Sequence, residues 1–272
     1  MTRTIVLREV VAREASNGDE GSHRAGRRQV HDRVRSPGAA CGAAGLSSAG
    51  RGRSVRGAAA TALLMPLAPD FGNTPVSEDH LDDLLSAARA ILGERPSRAA
   101  VYDLEQAVQE NVTKDVLSGA IEGRLVLDDL LSDHFLRDLH ARLYEKIWSW
   151  AGVFSRRELN IGVAPERIAV ELRTSLDDMR HRWESARDWT ARELGIATHA
   201  ETVRIHPFTD GNGRTTRLLA DAVFLAAQDG EALEQYDWEL DKRRYIDLLR
   251  SYDRHRDPRE LAAFVRVQPF GE

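Results

Sequence analysis

His206-Pro207-Phe208-Thr209-Asp210-Gly211-Asn212-Gly213-Arg214-Thr215-Thr216-Arg217 separates two helical stretches, and the rest of the chain is arranged around it. Proline disfavours helical backbone at the residue before it, so the preceding helix ends near Ile205. Gly211 and Gly213 flank Asn212, a run suited to unusual backbone angles and to close approach of a ligand. A helix begins again near Gly213. Its first turn offers free backbone N–H groups at the positive end of the dipole, which is a phosphate cradle. Arg214 and Arg217, three apart, share a helix face and can grip further phosphates with forked guanidinium groups. Asp210 stands before the cradle, where a carboxylate can hold Mg²⁺ that bridges phosphate oxygens. His206 titrates near neutral pH and can take a proton. A base, a metal carboxylate, an anion cradle and two arginines together predict nucleotidyl or phosphoryl transfer.

Outward from this loop the apolar pattern is helical almost throughout. Ser77, Glu78 and Asp79 open a helix that runs to about Leu92, stopped by Gly93 and Pro96. Ser97 caps a second, with Val101, Leu104, Val108 and Val112 on one face. A third spans about Ser132 to Trp150, with Phe135, Leu139, Leu143, Ile147 and Trp150 at helical spacing. Pro165 opens a fourth, striped by Ile168, Leu172, Leu176, Met179 and Trp183. Asp257-Pro258-Arg259-Glu260 reads as a capping box opening the last helix. Alternation at Leu159, Ile161 and Val163 predicts one short β-hairpin between Val153 and Val163. The expected fold class is all-α, a helical bundle with that one hairpin. His134 and His140 are expected on a solvated helix face, and Trp148 and Trp150 in the core or at its edge.

Composition bounds the rest. The 272 residues are 42% hydrophobic and 30% charged, which suits a folded chain. Residues 1–60 hold 11 Arg against 5 acids, whereas residues 61–272 hold 27 basic against 38 acidic side chains. The folded part is therefore acidic and a poor general binder of nucleic acid. All 17 aromatics lie from Phe71 onward, so residues 1–70 read as a disordered basic tail, with Met65 as an alternative start. Residues 71–131 then hold N-terminal helices and 132–270 the catalytic domain. Cys41 is the only cysteine, which excludes an internal disulfide and points to a reducing cytoplasm. No stretch is long and apolar enough to suggest a membrane span.

The twelve-residue loop resembles the Fic motif, His-x-Phe-x-(Asp/Glu)-Gly-Asn-Gly-Arg-x-x-Arg, at all eight specified positions. The resemblance to this family covers about residues 97–268. Within it, Trp148 to Phe154 and Asn160-Ile161-Gly162-Val163 are similar to the branch called mobile mystery protein B. The resemblance implies transfer of AMP from ATP to a Ser, Thr or Tyr hydroxyl of a target protein, with Mg²⁺. It implies His206 as base, Phe208 as a buried anchor and Asp210 as the metal ligand. Gly211, Asn212 and Gly213 form the implied anion hole, with Arg214 and Arg217 on the β- and γ-phosphates. A flap containing Asn160, Ile161 and Gly162 docks the target strand to strand, and Tyr245 and Leu248 stand near the adenine. A phosphotransferase branch resembling Doc carries lysine in place of the second glycine; Gly213 favours AMP transfer.

Upstream, Ser118-Gly119-Ala120-Ile121-Glu122-Gly123 resembles the family's inhibitory pattern, (Ser/Thr)-x-x-x-Glu-(Gly/Asn). Ser118 and Glu122 share a helix face, and Glu122 is expected to pair with Arg217 and so restrain the enzyme. The bland alternative is an ordinary helix end with Gly123 beyond the cap. Removal of AMP from modified proteins, other nucleotidyl or phosphoryl transfers, and a non-catalytic regulatory binding module are the competing functions. A homo-oligomer and an antitoxin partner are left open.

Overall fold

A computed structural model describes residues 82–230 and 232–271 of the chain. The basic segment 1–70, Met65, Cys41 and the Ser77 helix start lie outside them. Among the described residues the chain folds as nine helices and a two-stranded sheet, the all-α class expected from the pattern. The helices are α1 (Ser86–Leu92), α2 (Arg98–Ile121), α3 (Leu127–Leu130), α4 (Asp133–Tyr144), α5 (Pro165–Ser185), α6 (Ala191–Ile205) and α7 (Asn212–Ala226). Strand β1 (Glu234–Tyr236) follows, then α8 (Lys242–His255), α9 (Arg259–Phe264) and β2 (Val267–Pro269). No described helix is long and apolar enough to cross a membrane.

Helix α7 is the centre. Residues Leu218 to Leu225 are all buried, and α2, α3, α4, α6 and β1 pack around them. The crossing of α6 and α7 is the most extensive contact and is made by small residues. A methyl group at Gly195 of α6 would stand 2.9 Å from the Ala220 carbonyl and would collide with the Tyr236 hydroxyl. On the far side, Ile196, Phe224, Tyr236, Trp238, Leu248 and Tyr252 form a second apolar cluster that seats α8 and α9. Capping follows local chemistry. Ser97 accepts from Ala100 N–H at 3.2 Å, and Thr190 with Glu193 makes a full capping box for α6.

Three expectations about elements are corrected. The helix drawn from Ser77 to Leu92 is not continuous, because residues 82–85 are not helical. The helix drawn from Ser132 to Trp150 stops at Tyr144. One pairing accounts for both. Leu85 N–H donates to the Ile147 carbonyl and Ser149 N–H to that of Asp83, each at 2.9 Å, so both segments leave helical geometry to bridge each other. The hairpin expected at Val153 to Val163 is absent as a self-paired unit. Ser155 N–H instead donates to the Pro207 carbonyl at 2.8 Å and Val163 N–H to that of Ile205 at 3.2 Å. The segment spends its backbone on both sides of His206, and the two-stranded antiparallel sheet forms between β1 and β2. At the last helix Asp257 accepts from Arg259 N–H at 3.1 Å, but Glu260 turns to Arg244, so the box is half formed.

The Gly195 contact gives a stability prediction. Gly195→Ala forces α6 away from α7, and small-to-large changes in packed cores cost about 1–3 kcal/mol. Urea unfolding of the variant should show that loss; an unchanged midpoint would mean the crossing is loose.

Candidate functional site

Helix α6 ends at His206, which adopts the left-handed conformation (φ 53°, ψ 60°) while its N–H still bonds the Thr202 carbonyl at 3.0 Å. Pro207 closes the right-handed helical region to this residue, and histidine tolerates the left-handed one better than most. The backbone therefore turns sharply at the imidazole. Phe208 then plunges into the core, fully buried. Asn212 folds its carboxamide back onto that residue. Its Oδ1 accepts from Phe208 N–H at 2.9 Å and its Nδ2 donates to the Phe208 carbonyl at 2.6 Å. The loop is thus closed by one side chain at the first position of α7.

Gly211 lies in this loop with φ 74°, and a methyl group there would stand 2.5 Å from the Tyr144 ring. Both backbone angle and space admit only glycine. Gly211, Asn212 and Gly213 bring α7 into the loop with its first N–H groups outside the helical ladder. Thr209, His206, Asp210, the Gly211–Gly213 run, Arg214 and Arg217 line a cavity of 270 Å³. Every charged or glycine position of the motif expected to meet a nucleotide is gathered there. Phe208 lies beneath as the expected anchor. The Asn212 side chain is the exception, because it braces the loop.

His206 is half-buried, and burial lowers its pKa below 6.5 against the opposing pull of the Val203 carbonyl and the Asp210 charge. Burial thus favours the neutral imidazole. Asp210 is exposed and spends Oδ1 on Gly211 N–H at 2.6 Å. The described residues contain no cluster of three His, Cys, Asp or Glu side chains that could cage a metal. A single exposed carboxylate beside a phosphate cradle fits Mg²⁺, which takes one or two carboxylates and completes its shell with waters and phosphates.

Two site residues are missing from the sequence reading. His140, expected in solvent, is fully buried beneath the loop. Its ring stacks on Phe208 with centroids 3.7 Å apart and planes 2° from parallel. Nδ1 accepts from Gly152 N–H at 2.9 Å, so Nε2 carries the proton and donates to the Asp210 carbonyl at 3.1 Å. Burial pushes its pKa down to about 4. Glu105, on α2, is also buried and pairs with Arg214. Both stand within apolar stripes, His140 between Leu139 and Leu143, Glu105 between Leu104 and Val108. A polar side chain inside a stripe is the signal that could have found them.

The pairing expected between Glu122 and Arg217 is not the one the structure forms. Glu122 sits half-exposed at the C-cap of α2 and bonds Arg124 at 2.8 Å, and no ion pair between it and Arg217 is present among the described residues. Ser118 offers only its carbonyl, to Glu122 N–H. Gly123, with φ 71°, follows as in any glycine-terminated helix. Leu248, expected near adenine, is a core residue, and Tyr245 bonds His199 at 2.5 Å; neither lines the cavity.

Asn160, Ile161 and Gly162 lie in the loop that crosses the site, with Ile161 exposed. Gly162 has φ 100°, and a methyl group there would stand 2.7 Å from the His206 Cβ and 2.9 Å from the Ile205 carbonyl. The loop rests directly on the base.

Residues 130–224 match the Fic/DOC family. The chain carries a Fic/DOC family domain. It is 31% identical over 98 residues to the protein adenylyltransferase Fic of Nematostella vectensis, covering 33% of this chain and 22% of that one. It is 38% identical over 63 residues to protein adenylyltransferase fic-1 of Caenorhabditis briggsae, covering 23% and 12%. The chain thus spans under a quarter of these relatives' lengths. Among solved structures, a Fic-domain signaling protein of Bacteroides thetaiotaomicron aligns over 61% of this chain and 63% of its own, at 24% identity and a TM-score of 0.47. The Bartonella tribocorum protein BepC, with bound AMPPNP, aligns over 60% and 88% at 17% identity and a TM-score of 0.41.

Two predictions concern this Fic site. Gly162→Ala should displace His206 and lower turnover about 100-fold, the scale set by ångström misplacement of a reacting group. Kinetics showing full activity would mean the loop gives way instead. Acid stability follows from the histidines. His140 and His199, the latter lowered to about 3 by burial and by Arg217, bind their protons later in the folded chain than in the unfolded one. His206 shifts the same way. Asp221, raised to about 8 by burial, opposes one of these three. The unfolded state therefore takes up more protons between about pH 6.5 and 4, and stability falls as pH drops through that window. Melting midpoints measured across it should decline.

Proposed function

We propose that this protein transfers AMP from ATP to a hydroxyl side chain of a target protein. The observation that carries the proposal is one 270 Å³ cavity lined by His206, Asp210, the N-terminal turn of α7, Arg214 and Arg217. That set pairs a neutral base with an anion cradle and two cations. The relatives named protein adenylyltransferases support the same class of reaction.

In the proposed chemistry the target hydroxyl oxygen attacks the α-phosphorus of ATP, and the bond from that phosphorus to the bridging oxygen of pyrophosphate breaks. His206 takes the hydroxyl proton, and pyrophosphate departs with the bonding pair. The N–H groups of Asn212 and Gly213 are placed for phosphate oxygens, while that of Gly211 is held by Asp210, and Arg214 and Arg217 are placed for the charge that develops on pyrophosphate. Asp210 would hold Mg²⁺, which would supply neutralising charge to the phosphate oxygens. The loop at Asn160 to Gly162 presents its exposed side, including Ile161, beside the base, a placement suited to seating the target segment. With Glu122 on the protein surface, the readings that used it, restraint of Arg217 and removal of AMP, have no support in the geometry.

Intact-mass measurement after incubation with ATP and Mg²⁺ tests the proposal, through one adenylyl group added to the protein or to a partner protein. His206→Ala should cut the rate by about 10²–10⁴-fold, the usual contribution of a general base. The pH–rate profile should show an acid limb with an apparent pKa below 6.5, because the lowered pKa keeps His206 unprotonated further into acid. Labelling that survives in His206→Ala, or a limb above 6.5, would remove the histidine from this role.

A further inference from the structure

The proposed reaction leaves Glu105 without a task, yet a buried carboxylate is costly unless its oxygens are fully engaged. It interrupts an apolar stripe where leucine or valine would continue the core. Its side chain is 7% exposed, and its two oxygens face two different partners. Oε1 accepts from Trp148 Nε1–H at 2.7 Å, and Oε2 accepts from Nη1 of Arg214. Trp148 is itself held, buried and bridged to Leu84. The carboxylate is thus anchored on one side and grips the motif arginine on the other. Arg214 is confined on its faces as well, with its guanidinium carbon 5.6 Å from the Tyr102 ring centre and 5.2 Å from that of Tyr144.

We propose that Glu105 is a positioning residue for Arg214, fixing the guanidinium through Nη1 so that its remaining N–H groups meet the phosphates beyond the α-phosphate. This rests on the nucleotide-binding function proposed above. Helix α2 lies before the segment that matches the family, so the N-terminal helices complete the nucleotide site. A guanidinium has five donors in a rigid fork, and one ion pair through Nη1 leaves the others for ligand. A releasable latch would sit at the surface on a mobile side chain. Glu105 is buried, doubly bonded and backed by Trp148, which suits permanent orientation.

Removing the carboxylate separates orientation from simple charge neutralisation, because the two act in opposite directions. If Glu105 only neutralised Arg214, its loss would free a cation and tighten ATP. If it orients Arg214, its loss weakens ATP and spares AMP, which lacks the phosphates that Arg214 meets. Calorimetry with ATP and with AMP, each with Mg²⁺, should be run on the full chain, on Glu105→Ala and Glu105→Gln, and on Trp148→Phe. Folding of each is checked by its melting curve. Loss of a supporting residue of this kind typically weakens a site about 10–100-fold, so ATP affinity in Glu105→Ala should fall by at least about tenfold with AMP unchanged. Glu105→Gln, which can satisfy one partner, and Trp148→Phe should fall in between. Unchanged or tighter ATP binding in Glu105→Ala overturns the proposal, as does an equal loss for AMP. Absence of nucleotide binding by the wild-type chain would sink the nucleotide function itself. The Arg214 side-chain NMR signal then decides the positioning claim. A slowly exchanging guanidinium in the wild type that averages in Glu105→Ala sustains it, and identical signals in both overturn it.

Discussion

The two hydrogen bonds between the Asn212 carboxamide and the Phe208 backbone hold the site together. They join the residue that ends the loop to the residue that anchors it, inside a buried environment where such bonds are strong and their loss is expensive. Everything chemical hangs from this clamp. His206 precedes it at the left-handed end of α6, Asp210 and Gly211 lie within it, and Arg214 and Arg217 follow on the first turns of α7. Because α7 is also the helix around which the others pack, the loop is tied to the buried centre of the described fold.

The clamp is supported from below by an aromatic layer. His140 stacks on Phe208, Tyr144 lies against Gly211, and Trp150 tilts against both His140 and Tyr144. The layer is polar where it must be. His140 satisfies both ring nitrogens, one on each of two loops, and burial keeps it neutral. From above, the segment from Ser155 to Val163 bonds to the backbone on either side of His206. His206 is therefore held between an aromatic floor and a backbone-bonded cover.

Much of this was legible in the amino-acid order. The twelve-residue motif marks His206, Asp210, the glycine run and both arginines, and the structure gathers them in one cavity. Helical stripes located α2 and α5, because an apolar face repeating every three to four residues has one simple solution, and Pro207 with the glycine run marked the end of α6 and the start of α7. The readings that failed depended on distant partners. A glutamate four residues after a serine on one helix face gave no information about whether Arg217 lay within reach, and Glu122 in fact points to Arg124. Alternating residues near Leu159 suggested a hairpin, but strand pairing is a backbone matter, and the backbone found its partners beside His206.

By itself the sequence determined the local constraints. Pro207 disfavours a continuing helix, Gly211 permits the turn, and the arginine spacing puts two cations on one helical face. These are short-range effects of sterics and helical period, fixed within a dozen residues. Which side chains meet the motif from elsewhere is settled by the packing of distant helices. Glu105 reaches Arg214 across 109 residues and His140 reaches Asp210 across 70. A stripe tells which face of a helix is buried, but not what lies opposite. That depends on how the helices cross around α7, where the small residues at Gly195 and Ala220 let two helices approach closely.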